Sequence, residues 1–518
     1  MPKPIYILAF CGHRNLPDNP DLKHVLREAI RCYASEAESR GGELHFHSMI
    51  AWGADLIAIE QAHELKIPVH LILPKQLLPV LEDRPVKGLA EDFRKAGTNA
   101  FMEDEWLRAL EVIEKSRSGH GGGSLRTYTE ETQDPDCFHD TAVKMLSASD
   151  ALLAVWDGHP AKGIGGCGET CQYAKDSGIP TWRLAPEMKL AEFRRPSGSL
   201  FSESPNDVTS SLLKDYDKDA DTFLEKLDSQ AEAVGQAFRG RTTKTISLHF
   251  YATLLAAFAS SFVTYDPART ALLVLSFVQG TLVTIAWWTQ RKIRRSNAHT
   301  RWVNLRFAAE LTRSAKSTAG ISDPMYPQVT PHLVEWSRFA RTIAFACHVE
   351  RDGKEWEGRR EHYLQERLRG QISYFDKKKK AADKDSAALR RFLLTATQLA
   401  PWVAAAGITY KLAEKAGISL HDFAESTGLS ILPFAESVRF LPIALPLIAG
   451  FLGAKMQASD AERRRTKYAN LAVQLQSAEK NLVLLRTEAS TRLAVARIEE
   501  ILLGEQLEWL LKESPAKR

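Results

Sequence analysis

Residues Val155–Pro186 read VWDGHPAKGIGGCGETCQYAKDSGIPTWRLAP. A hydrophobic strand, Leu152–Trp156, runs into Asp157-Gly158. Glycines at 163, 165, 166 and 168 follow, then a short helix through Tyr173-Ala174 that Gly178 ends, then a second strand from near Pro180. Strand, Gly-rich turn, helix and strand make a βαβ unit of a parallel sheet. Glycines at such a turn let the backbone approach a ligand closely, and the amides that open the helix favour an anion such as phosphate. The same glycines also suit a tight turn that binds nothing, so the loop alone does not choose between the two.

The upstream sequence extends the same pattern. Ile5–Phe10 is a fully apolar strand of the kind buried on both faces, and it ends in Cys11-Gly12-His13-Arg14. A helix is expected over Asp21–Arg40, a strand over Leu44–Met49, a helix from the Ala51–Asp55 turn to Leu65, and a strand over Val69–Leu73. This alternation predicts an α/β Rossmann-like domain with ligands at the carboxyl ends of its strands. Three loops then converge on one edge: Gly12–Arg14, Gly53–Asp55 and Gly163–Glu169.

The candidate ligand-binding set is Gly12, His13, Arg14, Trp52, Gly53, Ala54, Asp55, Asp157, Gly158, Gly165, Gly166, Cys167, Gly168 and Glu169. Arg14 suits a bidentate clamp on phosphate or a surface ion pair. His13 suits stacking, hydrogen bonding or a plain turn. Asp55 can hold a ribose hydroxyl or cap the helix it opens. Trp52 can stack on a base or pack in the core. Glu169 can bond a ligand hydroxyl or favour the helix N-terminus.

These residues resemble the SLOG superfamily, the Rossmann-like fold of the LOG and DNA-processing A proteins, over roughly residues 4–186. The carriers are GHR after the first strand, GAD opening the second helix, and GG-C-G-E…YA…GIP. The resemblance implies a nucleotide pocket. Its ligand would be a nucleotide-derived signal, an NAD-derived ADP-ribose-type molecule or a cyclic oligonucleotide. Hydrolytic LOG enzymes carry PGG-x-GT-x-x-E; aligned on Gly165-Gly166, this chain has Ile164 for Pro, Glu169 for Thr and Gln172 for the terminal Glu. An amide cannot replace a carboxylate at a glycosidic bond. A ligand sensor, with no catalytic residue, is therefore expected over a LOG-like phosphoribohydrolase.

At 518 residues there is room for about three domains. A net charge of +4 gives no argument for nucleic acid. The six cysteines are scattered through segments expected to be cytosolic, where reduced thiols are the default. Cys167 and Cys171 have helical i, i+4 spacing but no second ligand pair nearby, so no metal site is expected. Met1–Lys3 leads directly into a strand, so no secretory signal is expected. Residues 97–137, with GHGGG at Gly119–Gly123, read as a long loop or lid over the ligand, and 191–240 as a solvated helical linker.

Beyond residue 241, four apolar runs stand in charged sequence. Thr245–Thr264 and Ala271–Trp288 are followed by Phe392–Tyr410 and Phe440–Met456. Runs of this length can cross a hydrocarbon core of about 30 Å at about 1.5 Å per helical residue; the alternative is the buried core of a soluble bundle. Basic flanks at Arg239–Lys244, Arg291–Arg295, Lys377–Lys380 and Arg463–Arg465 predict both chain ends on the cytoplasmic side. Two hairpins with charged cytosolic helices resemble the SLATT effector domains, on Arg301–Glu310, Tyr363–Phe375 and Ile498–Trp509.

The expected organisation is a SLOG-like domain over 1–190, a linker over 191–240, a first hairpin module over 241–391 and a second over 392–518. Tyr468, Leu471, Leu475, Ala478, Leu482, Leu485 and Ala489 form an expected coiled-coil seam. The resemblances together imply a pore-forming effector of the bacterial inner membrane, of the anti-phage defence type. It would be a homo-oligomer in the lipid bilayer. Its nucleotide second messenger would come from a nucleotidyltransferase or a TIR enzyme.

Overall fold

The computed structural model describes residues 2–17, 19–75, 89, 93, 103–118, 123–127, 136–161, 163–202, 208–217, 219–261, 269–321, 334–349, 356–416, 434–459 and 461–513. The chain divides into two compact units, Met1–Leu224 with Leu311–Gly353, and Glu225–Glu310 with Lys354–Arg518.

The first unit is built on six strands: β1 Ile5–Gly12, β2 Glu43–Ser48, β3 Val69–Leu73, β4 Ser124–Thr127, β5 Ala151–Val155 and β6 Thr181–Leu184. Every neighbouring pair is parallel and the order is β4-β3-β2-β1-β5-β6. The order reverses between β1 and β5, where Leu8 lies opposite Ala151 and Gly12 opposite Val155. A crevice opens beyond the carboxyl ends of two strands at such a switch point. The helices are α1 Leu22–Ser39, α2 Ala54–Glu64, α3 Glu103–Arg117, α4 Asp136–Ser147 and α5 Cys167–Asp176.

Side chains of β1 alternate between two buried layers, as the pleat requires. Tyr6, Leu8 and Phe10 pack with Val25, Leu26, Ile30 and Tyr33 of α1, whose apolar stripe follows helical spacing. Ala9 and Cys11 pack with Met145 of α4 and with Cys171 and Ala174 of α5. Ile5 and Ile7 meet Ile72, Ala148 and Phe345.

Three expectations about this unit are corrected. Residues 97–137 are not one loop: they include α3 and the edge strand β4, while 119–122 and 128–135, which hold most of the expected lid, lie outside the described residues. The unit does not end near residue 190. Leu200 and Phe201 are buried, and Leu200 donates its amide to the Glu36 carboxylate, so this part of the expected linker is core. A distant helix, Val334–Val349, also belongs here. Its Arg338 and Arg341 donate to Asp150, and its Thr342 hydroxyl accepts from the Ile5 amide. The lone carboxylate between two guanidiniums explains how so charged a helix is buried.

The second unit is helical. Continuing in chain order, α6 Val208–Leu213 closes the first unit's segment, and α7 Ala220–Ser261, α8 Arg269–Arg295 and α9 Ala298–Thr318 follow. Val334–Val349 is α10. Then come α11 Trp356–His362, a π-helical turn at Tyr363–Arg369, α12 Gly370–Lys415, α13 Phe434–Ser459, α14 Ala461–Leu484 and α15 Glu488–Glu513. Within this unit Arg367 is buried between Glu310 (2.8 Å) and Glu499 (2.8 Å), and the Tyr363 hydroxyl donates to Glu499. The two carboxylates hold the Arg367 pKa above its ordinary value against the opposing effect of burial.

Among the described residues two helices, not the expected four, are long and apolar enough to cross a membrane: Thr270–Arg295 and Arg390–Thr409. Phe440–Lys455 is apolar but shorter. The 245–264 run continues the charged first half of α7, and 262–264 lie outside the described residues. In the two qualifying helices apolar side chains are exposed: Phe277 is 78% and Trp402 76% accessible. Their hydroxyls turn inward: Thr281, Thr284, Thr395 and Thr409 donate to carbonyls one turn back. That satisfies them without water. The weaker runs meet each other, with Phe250 stacked on Phe451 at 4.2 Å and Phe258 against Phe440 at 5.4 Å.

The expected seam is shorter than read. Leu471, Leu475 and Leu482 are buried on α14, and Tyr468 meets Phe375 of α12, so the seam is used inside the chain. The helix stops at Leu484, which leaves Leu485 beyond it and Ala489 on α15.

Candidate functional site

The carboxyl edge of β1 carries Gly12, His13 and Arg14, and the chain is bound down on both sides. The His13 amide donates to the Val155 carbonyl of β5, and the His13 carbonyl accepts from the Ala54 amide at the start of α2. This close approach explains two of the glycines. A side chain at Gly12 would overlap Ala54, and one at Gly53 would overlap the Arg14 carbonyl. Gly53 also has φ +82°, where L-residues are strained. Ile50 has φ 59° just upstream, an unusual conformation for a β-branched residue that costs on the order of 1–3 kcal/mol. Strain of that kind concentrates at functional edges.

The glycines of the quoted stretch also have protein neighbours. Gly165, at φ +73°, abuts Phe138 and His139 of α4. Gly168 lies against His159 and Ala161. Gly158, at φ +91°, makes room for the Arg183 guanidinium, which donates to the Trp156 and Asp157 carbonyls. Gly166 precedes Cys167 as the N-cap of α5. These glycines shape the edge by allowing close chain-to-chain contact.

Among the acids, Glu169 is engaged by its own loop. It accepts from the Gly165 amide (2.6 Å) and pairs with His139 at 3.1 Å. Asp157 accepts from the His159 amide, which, with the His13 ring, holds its pKa below the ordinary carboxylate value. The His13 ring nitrogen Nε2 lies 3.1 Å from both the Asp157 amide nitrogen and its Oδ1. These are alternatives: neutral Nε2 accepts from the amide, protonated Nε2 donates to the carboxylate.

The remaining three residues of the set form one group. The Arg14 guanidinium lies 4.6 Å from the centre of the Trp52 ring and 5.3 Å from that of Phe138. Trp52 is buried and its indole nitrogen has no hydrogen-bond partner among the described residues. Asp55, only 4% exposed, accepts from the Gly12 amide through one oxygen while Oδ1 is unbonded among the described residues. Burial raises the Asp55 pKa to about 7, against the lowering effects of Arg14 and the Gly12 amide. Near neutrality Asp55 therefore both accepts and donates hydrogen bonds.

Compared with family models and with curated proteins, the chain matches none.

Gln172, at the position where LOG enzymes carry glutamate, is exposed and donates to Asp176 on its own helix. Two further residues border the group: Phe138, whose ring faces Arg14, and Lys75, which is buried with its ammonium 4.5 Å from the same ring; neither stands out in the sequence. Lys75 directly follows Leu73-Pro74 at the end of β3, so the position of a cation after a strand was its only signal.

A third cysteine joins Cys167 and Cys171, far from them in the sequence. Cys11 of β1 lies with Sγ 3.0 Å from Cys167 Sγ, and with Cys171 the three sulfurs lie within 4.8 Å of one another. Hydrogen bonds from the Cys11 and Cys167 thiols, with help from Arg183 and His13, place Cys171 well below the usual thiol range. The Cys167 contact and burial raise Cys11.

Proposed function

We propose that this chain is a nucleotide-sensing membrane effector. A nucleotide-derived signal binds at the carboxyl edge of the sheet, and binding gates or assembles an ion-conducting or membrane-disrupting pore. The Arg14–Trp52–Asp55 group supports this most: an exposed guanidinium over an indole face, beside a buried carboxyl whose Oδ1 has no partner among the described residues, at the switch point of a parallel sheet. The guanidinium suits phosphate, and the carboxyl suits a sugar hydroxyl or a base edge.

The exposed apolar helices support the membrane part. Trp287 and Trp288 lie beside Arg291 and Lys292 at 5.2 and 5.3 Å, the mixture of aromatic ring and cation that suits a bilayer interface. In this reading α7 and α13 complete two membrane hairpins, the chain ends are cytoplasmic, and several copies surround the pore. The GHR, GAD and GG-C-G-E residues support a SLOG-type sensor, and the helical layout supports a SLATT-type effector in bacterial anti-phage defence. The signal would then be an ADP-ribose-type molecule or a cyclic oligonucleotide from a nucleotidyltransferase or TIR enzyme. The exposed, hydrogen-bonded Gln172 disfavours glycosidic hydrolysis.

The test is release of dye from liposomes carrying the full chain as nucleotides are added. Leakage with one nucleotide, lost in Arg14→Ala, is expected. A nucleotide that binds without causing leakage would reject gating, and base release from it would restore the hydrolase.

A further inference from the structure

We propose that Cys11, Cys167 and Cys171 form a three-thiolate site for one thiophilic d10 cation, Zn(II) or Cu(I), independently of any nucleotide. Three observations carry it. The sulfurs converge from separate elements, the end of β1 and two successive turns of α5, and all lie within 4.8 Å of one another. None is in a disulfide, and the closest pair stands at 3.0 Å. A zinc ion with thiolates at about 2.3 Å holds them about 3.8–4.0 Å apart, so closing around an ion requires sulfur shifts of about 1 Å.

The surroundings suit such an ion. Cys11 and Cys171 are buried and Cys167 is half-buried, so the cluster has one open side. Three protein ligands with an open fourth position allow water or another ligand to bind the ion. Three thiolates around Zn(II) leave a net charge of −1, and around Cu(I) −2. The Arg183 guanidinium acts electrostatically on Cys171 and opposes that excess. Soft sulfur donors without a carboxylate or imidazole in the set select against Mg(II) and Ca(II).

The competing explanation is three small buried thiols that only hydrogen-bond to one another. The experiment uses the full chain in detergent, reduced and stripped of metal, titrated with Co(II) as a spectroscopic substitute for Zn(II) and, separately, with Cu(I) against a chelator. The proposal expects one equivalent per chain, a sulfur-to-cobalt charge-transfer band, and a rise in melting temperature with the ion that binds. Cys11→Ser, Cys167→Ser and Cys171→Ser should each weaken binding at least 100-fold, whereas Cys32→Ser and Cys137→Ser should leave it unchanged. Because the band and the melting shift are read in the unaltered protein, poor folding of a variant does not remove the test. Absence of the band and of Cu(I) binding would overturn the site. So would metal binding that survives all three serine variants or is lost equally in the control variants.

Discussion

Asp150 and Asp55 are two buried carboxyls of the same sheet unit, and their surroundings differ. Asp150, at the amino end of β5, accepts from Arg338 Nε at 3.0 Å, from the Arg341 guanidinium at 2.6 Å and from the Ile7 amide at 2.9 Å. Asp55, beyond the carboxyl end of β1, has the Gly12 amide and an oxygen with no partner among the described residues, and its nearby guanidinium is exposed and stacked on Trp52. The first arrangement joins a distant helix to the sheet and has its charge compensated within the chain. The second leaves hydrogen-bonding capacity unspent at the edge where parallel sheets bind ligands. One end of the sheet has its buried carboxylate bonded on several sides; the other, the edge where we propose that a ligand binds, does not.

The largest expected effect breaks the cohesive end. Asp150→Asn leaves Arg338 and Arg341 buried without their counter-charge and should cost about 3–5 kcal/mol, read as a lower urea midpoint of the first unit. An unchanged midpoint would show that the two ends do not differ as described.

At the other end the sign reverses. The Asp55 pKa is raised in the folded protein to about 7, so the folded state binds more protons than the unfolded state between the ordinary carboxyl value near 4 and about 7. Stability therefore falls as pH rises through that window, and the penalty is complete above it. Asp55→Asn should remove this slope and stabilise the protein above pH 7 by on the order of 4 kcal/mol. Unfolding free energies of the two proteins across the pH series check this; parallel curves would contradict it.

Gly53→Ala forces a side chain into the positive-φ turn against the Arg14 carbonyl and should cost about 1–3 kcal/mol, with loss of ligand binding as the edge moves. A thermal melt checks the first part. Arg14→Ala should be the mildest change for the fold, under about 1 kcal/mol for an exposed cation–π contact.

Much of this was legible in the sequence. The apolar runs at Ile5–Phe10, Leu44–Met49, Val69–Leu73 and Leu152–Trp156 are strands because strands buried on both faces need no alternation. β4 was not legible: SLRT offers four residues and one apolar side chain, and becomes a strand only by pairing with β3. Nor was the place of α10, since Arg338 and Arg341 find their partner about 190 residues away in the chain. The place of the candidate residues in loops after strands was legible, but the neighbours of their glycines were not, because Gly12 and Gly165 are fixed by Ala54 and Phe138, contacts that arise only on folding. Cys11 was separated from its partners in the same way.

The most direct measurement of the central claim is the melting temperature of the full chain in detergent with a panel of nucleotides, for the unaltered protein, Arg14→Ala and Asp150→Asn. The account predicts that at least one nucleotide raises the melting temperature of the unaltered protein and of the weakened Asp150→Asn protein, but not of Arg14→Ala. A shift that persists in Arg14→Ala, or no shift with any nucleotide, would contradict it.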